Sequence, residues 1–163
     1  MKMKKRTRGL SIRSKILLPA SILIMALCVV MGVSAYMRTK DGLIAMGVEE
    51  AQMAAKISVK VIDGDALEKI TQEGAQSPGF GEMLSTMRDV RQDCGIKYLY
   101  TLYTDGKQVY YGIDSDETES CVEMGEPFEA SYQELQGVFA GEGYVQDYID
   151  YTENGELISA YMP

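Results

Sequence analysis

Residues 97–113 read KYLYTLYTDGKQVYYGI. Lys97–Thr104 is rich in β-forming residues, Asp105-Gly106 is a type I′ turn signal, and Gln108–Ile113 returns in the same alphabet. The stretch predicts a β-hairpin. Alternation places Tyr98, Tyr100 and Leu102 on one face and Leu99, Thr101 and Tyr103 on the other.

Upstream of this hairpin the period is helical. Ser77-Pro78 opens a helix whose apolar face is Met83, Leu84, Met87 and Val90, with Gly95 as its stop. Before it, Asp65 to Glu68 reads as a capping box that starts a short helix ending near Gly74. Earlier still, Leu43, Met46, Glu50, Met53, Ile57 and Val61 recur every three or four residues, with one polar interruption. No turn signal breaks that helix until Asp63-Gly64.

Downstream comes an acidic loop, Asp114 to Glu126. A helix then reads through Phe128, Tyr132, Leu135 and Phe139, and Gly141 and Gly143 end it. A second hairpin, Tyr144–Tyr151 and Glu156–Tyr161 around Glu153-Asn154-Gly155, closes the chain. Helices packed on an antiparallel sheet make an α+β domain. A strand at the very end leaves an edge unpaired. The layout therefore predicts a sheet incomplete at its C-terminal end and a chain that is the front of a longer protein.

The N-terminal part belongs to another environment. Ile16 to Met37, ILLPASILIMALCVVMGVSAYM, is 22 residues without a charge. As a helix it would span roughly 33 Å, enough for a hydrocarbon core. Residues 1–40 hold nine Lys or Arg and no acid, while the remainder holds seven bases and all 24 acids. The positive-inside rule then predicts a basic cytoplasmic tail at 1–15, a transmembrane helix at 16–37 and an extracytoplasmic domain at 38–163. The other reading is a cleavable signal peptide, with Val33-Ser34-Ala35 as the cleavage site. The length of the apolar core favours the anchor.

Several functions are excluded. There is no histidine, hence no Ser-His-Asp or Cys-His catalysis and no zincin motif. The formal charge of −8 argues against a nucleic-acid partner. No cofactor fingerprint is present, and with no Trp platform for sugar stacking an enzyme is not expected. Asp114-x-Asp116 invites calcium, but an EF-hand needs Gly at its sixth position and Glu at its twelfth. Here those are Glu119 and Gly125, so no metal is assigned.

The candidate site is aromatic. Ten of the eleven tyrosines fall in residues 98–161, mostly on or beside the predicted strands. An apolar ring with a polar tip suits a pocket for a small polar ligand, although β-propensity alone accounts for most of them. The residues selected are Tyr100, Tyr111, Tyr161 and Asp114, the last to pair with a ligand amine. Cys94 precedes the first strand and Cys121 follows the second, a placement open to a disulfide in an oxidising compartment. Cys28, inside the apolar run, reads as filler.

Basic tail, spanning helix, long continuing helix and helix–hairpin–helix–hairpin core together resemble the Cache type of extracellular PAS-like sensor. These sensors stand at the front of bacterial methyl-accepting chemotaxis proteins and of some histidine kinases and diguanylate cyclases. The stretches that carry the resemblance are Ile62–Leu67, Gly95–Leu102, Tyr111–Asp116 and Leu157–Pro163. It covers nearly the whole chain. It implies a ligand-sensing ectodomain, a homodimer, and chemotaxis signalling proteins engaged through a cytoplasmic domain that this sequence lacks. The arginine-and-tryptophan motif of the amino-acid-binding double Cache sensors is absent, so that ligand class does not carry over. A secreted or membrane-anchored binding protein or enzyme with no signalling output is the alternative from another class.

Overall fold

The computed structural model describes residues 11–152 and 155–163. It is mixed helix and sheet, and its chain divides into two compact units, Met1–Leu43 and Ile44–Pro163.

Helix α1 runs from Ile12 to Val61. Its most apolar 18-residue stretch has a mean hydropathy of 2.7 and buries nothing. By length and composition this helix is able to cross a membrane, a test that a signal sequence also meets. Pro19 sits in its second turn, and the Ser21 hydroxyl donates to the Leu17 carbonyl at 2.9 Å.

Within the second unit α1 turns an unexpected face inward. The expected stripe is exposed: Met46, Met53 and Val61 keep half or more of their surface. Ala54 and Ser58 are buried instead, and Ile44, Gly47, Val48 and Ala51 are half-buried. Small residues let the helix close on its neighbours. A Cβ on Gly47 would stand 2.8 Å from the Ile158 side chain. Periodicity pointed to the bulky stripe, and close approach selected the slim one instead.

Helix α2 is Gly64–Glu73. Its cap is Asp63, not Asp65: the Asp63 carboxylate accepts from the N–H groups of Asp65 (3.0 Å) and Ala66 (3.4 Å). Glu68 instead receives the Gln72 amide at 3.3 Å. Helix α3, Phe80–Cys94, buries Met83, Met87 and Val90 as expected, and Gly95 ends it at φ +66°.

Strands β1 (Tyr100–Thr104) and β2 (Val109–Asp114) form the first hairpin, antiparallel, with Leu102 opposite Tyr111 and Thr104 opposite Val109. The turn is not the two-residue type I′. That turn needs positive φ at both central residues, and only Gly106 has it. The Asp105 carboxylate accepts from Lys107 and Gln108 N–H, each at 2.8 Å, and so builds a four-residue loop. The register slips between Tyr100 and Leu102. There the Thr101 hydroxyl accepts the Ile113 N–H at 2.7 Å, and a Cβ on Gly112 would collide with it. The far edge of β2 is covered by the chain at 125–128, through Tyr111 N–H to Glu126 (2.9 Å) and Phe128 N–H to Val109 (2.9 Å).

Helix α4 is Tyr132–Phe139. It begins later than expected because Phe128 lies in that extended segment. Glu134 reaches back to the Ser131 N–H at 3.0 Å. The second hairpin is broken into two short ladders. Strand β3 (Tyr144–Val145) pairs with β6 (Ala160–Tyr161), and β4 (Asp150–Thr152) pairs with β5 (Gly155–Leu157). Glu153 and Asn154 of its predicted turn lie outside the described residues.

Two clusters form the core. One gathers Ile70, Met83, Met87 and Ile113; the other gathers Val109, Tyr111, Phe128 and Leu135. Strand β2 contributes to both.

Candidate functional site

Three of the four selected residues meet. Tyr100 on β1, Tyr111 on β2 and Tyr161 on β6 gather around Phe128. The Tyr100 and Tyr111 rings stand edge to face at 5.2 Å, Tyr111 and Phe128 at 5.1 Å, and Phe128 and Tyr161 at 6.3 Å. Tyr144 stacks on Tyr161 at 6.1 Å. Phe128 is the hinge of this arrangement. Because the chain at 125–128 hydrogen-bonds to β2, its ring lies where both hairpins can reach it.

The hydroxyls are organised too. Tyr111 donates to the Glu129 carboxylate at 3.1 Å. Tyr100 hydrogen-bonds Tyr161, which also receives Ser159. Burial pushes the Tyr100 phenol far up, and the neighbouring Tyr161 and Tyr111 push it the same way. Tyr111 is also raised, first by burial and then by the Glu129 charge. Tyr161 is raised by burial, against the pull of its bonds from Ser159 and Tyr100. The result is a set of neutral phenols beside one carboxylate at the surface. Such a set can stack on an apolar or cationic ligand and exchange hydrogen bonds with its polar end.

Glu129 was not singled out from sequence. Its signal was available only as a neighbour of Phe128, once Phe128 is taken as extended rather than helical.

Asp114 lies opposite Tyr100 in the β1–β2 ladder, with its carboxylate bonded to backbone N–H groups. It is 9% exposed, and both its oxygens are engaged: one accepts the Asp116 N–H at 3.0 Å, the other the Val122 N–H at 2.9 Å. It is not a solvated loop acid, and each of its oxygens already accepts one backbone N–H. Nor is Asp116, 4% exposed, a solvated acid. Burial works against its charge, but the hydroxyl and N–H of Thr118, the Glu117 N–H and Arg91 hold its carboxyl below the usual range. Arg91 spans Asp116 (3.4 Å) and Glu117 (2.9 Å). The acidic loop is thus folded onto α3, not dissolved in water. Cys94 and Cys121 are both free thiols.

No protein-family model, no curated protein and no solved structure matches the chain.

Proposed function

We propose that this chain is the membrane anchor and ligand-sensing ectodomain of a transmembrane chemoreceptor, with a Cache-like, PAS-type sensor as the second unit. The reading rests on one observation above the rest: tyrosines from two separate hairpins converge on Phe128, and the Tyr111 hydroxyl among them donates to Glu129. The order of elements, α1–α2–α3–hairpin–α4–hairpin, supports the PAS-like assignment. So does the covering of β2 on both edges. The apolar helix and the basic residues around it support an N-terminus in the cytoplasm and an ectodomain outside.

In this reading a small polar ligand docks against Tyr100, Tyr111 and Tyr161. Bound and empty states differ in how the second hairpin packs, and a ligand that prefers one packing shifts the population toward it. Whether a chemotaxis, kinase or cyclase domain receives the signal is set outside this sequence.

Two measurements test it. A membrane-impermeant maleimide should label Cys121 in intact cells; labelling only after lysis would reverse the topology. In a thermal-shift screen of small polar compounds on the full chain in detergent, a stabilising ligand should lose its effect in Tyr111→Phe and Glu129→Gln. A ligand whose shift survives both substitutions binds elsewhere, and the site assignment falls. An N-terminus found at Tyr36 would favour the secreted binder.

A further inference from the structure

A buried amide at the end of β3 has nothing in the chain to donate to. Gln146 is 6% exposed, and its side-chain Nε2 has no hydrogen-bond acceptor among the described residues. An amide NH2 carries two donors. Shielding them from water without an acceptor costs stability, and a leucine in the same place would carry no such cost. A buried donor left in this state is rare in natural folds and points to a partner from outside the chain.

The strand register gives the face on which Gln146 stands. Tyr144 pairs with Tyr161 and Val145 with Ala160, and the Gln146 N–H donates to the Ser159 carbonyl at 2.9 Å. Gln146 is therefore opposite Ser159, one step beyond the ladder. Side chains two apart on a strand share a face, so Gln146, Tyr144, Ser159 and Tyr161 stand on one side. That side is the one toward Phe128, since the Tyr161 ring meets the Phe128 ring at 6.3 Å. The other side turns to α1: Ile158, of opposite parity, is what a Cβ on Gly47 would strike. Gln146 and Tyr161 are diagonal neighbours, and diagonal pairs lie roughly 7–8 Å apart, within reach of a long side chain. Ser159, across from Gln146, already has its hydroxyl against the Tyr161 phenol. The amide thus borders the ring cluster.

Charge narrows what the partner is. Glu129 accepts from Tyr111 at 3.1 Å, and among the described residues no ion pair reaches it and no cation stands over these rings. A carboxylate entering here would be desolvated beside Glu129 with no counter-charge. A cation with no acceptor would leave the amide as it is. A neutral carbonyl oxygen accepts from the amide and brings no charge toward Glu129.

We propose that the Gln146 amide donates to the carbonyl oxygen of a neutral, ring-bearing ligand held against Tyr161 and Phe128, and so selects uncharged carbonyl compounds over carboxylates and amines. This rests on the aromatic cluster being a ligand site, and adds which end of the ligand is read and by which residue.

The test uses the full chain in detergent micelles and three probes of one shape: benzamide, benzoate and benzylamine. Binding is followed by NMR on chain labelled at the glutamine side-chain nitrogen, the Gln146 signal being the one lost in Gln146→Leu. Benzamide should bind about tenfold or more tightly than the other two, as a satisfied buried donor would give. It should also move the Gln146 side-chain N–H signals downfield as they gain an acceptor. Gln146→Leu should melt at the parent's temperature or above it and lose the preference for benzamide. Gln146→Glu, which replaces the donor by an acceptor, should lose benzamide binding. A Gln146→Leu chain that melts lower and still prefers benzamide makes the amide structural and overturns the proposal. So does a Gln146→Glu chain that binds benzamide as the parent does. Should benzamide fail to bind while another small polar compound is stabilised through Tyr111 and Glu129, this assignment falls and the aromatic site stands. Should no compound depend on Tyr111 and Glu129, both fall.

Discussion

The two hairpins share a vocabulary and end in different states. Both alternate tyrosine with small and polar residues. The first pairs without a break from Thr104–Val109 to Leu102–Tyr111, its β2 strand is buried along most of its length, and a third segment covers its open edge. The second splits into ladders of two and three pairs, and Tyr148 and Tyr151 stand 55 and 70% exposed. Between those ladders residues 146–149 run opposite only 158 and 159, so the strands cannot stay in step. Strand identity is therefore not carried by tyrosine content. It is carried by what the strand lies against, and the second hairpin is held where Tyr161 meets Phe128.

The hardest way to break this contrast is to remove the shared ring. Phe128→Ala should cost about 3–5 kcal/mol in urea unfolding, the range for a buried aromatic truncation. Hydrogen exchange should rise first at Gln146, whose N–H bonds Ser159 at 2.9 Å beside the β3–β6 ladder. A variant as stable as the parent would mean that the hairpins are joined by something other than Phe128.

Next in size is Asp114→Ala. It orphans the N–H groups of Asp116 and Val122, and a buried donor without a partner costs about 1–3 kcal/mol. Faster amide exchange at those two positions would locate the loss. Unchanged stability would free Asp114 for the ligand role its sequence position suggested. Acid should act on the same loop. The Asp116 carboxyl is held below its ordinary value in the fold, so the folded state binds fewer protons there than the unfolded chain. Its contribution is complete above the unfolded value, about 3.9, and is lost as pH falls through the folded one. Asp116→Asn should flatten that part of the stability curve.

What could be read in the sequence divides along the same line. Elements ended by local chemistry were legible: Gly95 stops α3, Asp63-Gly64 stops α1, and Met83, Met87 and Val90 line the face expected of them. Choices between competing local side-chain bonds, and choices settled by tertiary contact, were not. The Asp63 carboxylate outcompeted Asp65 as a cap by reaching two N–H groups. Asp105 drew its turn into four residues by the same means. Phe128 matched a helical period but was taken by the edge of β2. Ala54 and Ser58 won the inside of α1 from Met53 and Ile57 because only a slim face can approach closely. For the site, aromatic density pointed to Tyr100, Tyr111 and Tyr161, while Glu129 needed the three-dimensional placement of its neighbour.

Smaller still is the effect of the phenols themselves. Tyr100→Phe keeps the ring and loses the bond to Tyr161, an expected loss of about 1 kcal/mol at neutral pH. At high pH the difference shrinks. Tyr100, Tyr111 and Tyr161 have folded pKa values raised above the unfolded one, so the folded chain keeps protons that the unfolded chain gives up. Their contribution is whole below about pH 10 and declines as pH rises beyond it. Removing the Tyr100 hydroxyl removes part of that decline, so parent and variant should converge in stability as pH climbs. Curves that stay parallel would place the Tyr100 phenol in water.

The smallest effect belongs to the exposed end of the second hairpin. Tyr151 is opposite Glu156 in the β4–β5 ladder and presents 70% of its surface to solvent. Tyr151→Ala should change the unfolding free energy by no more than about 0.5 kcal/mol, the usual range for a surface position without a special partner. The same residue type, truncated at Tyr111, should cost several times that, since Tyr111 is 8% exposed and carries the bond to Glu129. Measured together, the pair asks whether a tyrosine matters here by its strand or by its neighbours. Comparable losses would mean that the β4–β5 ladder is as much a part of the folded core as β2, and the contrast between the hairpins would collapse. A large loss at Tyr111 alone would confine the second hairpin's hold on the domain to the few residues around Tyr161.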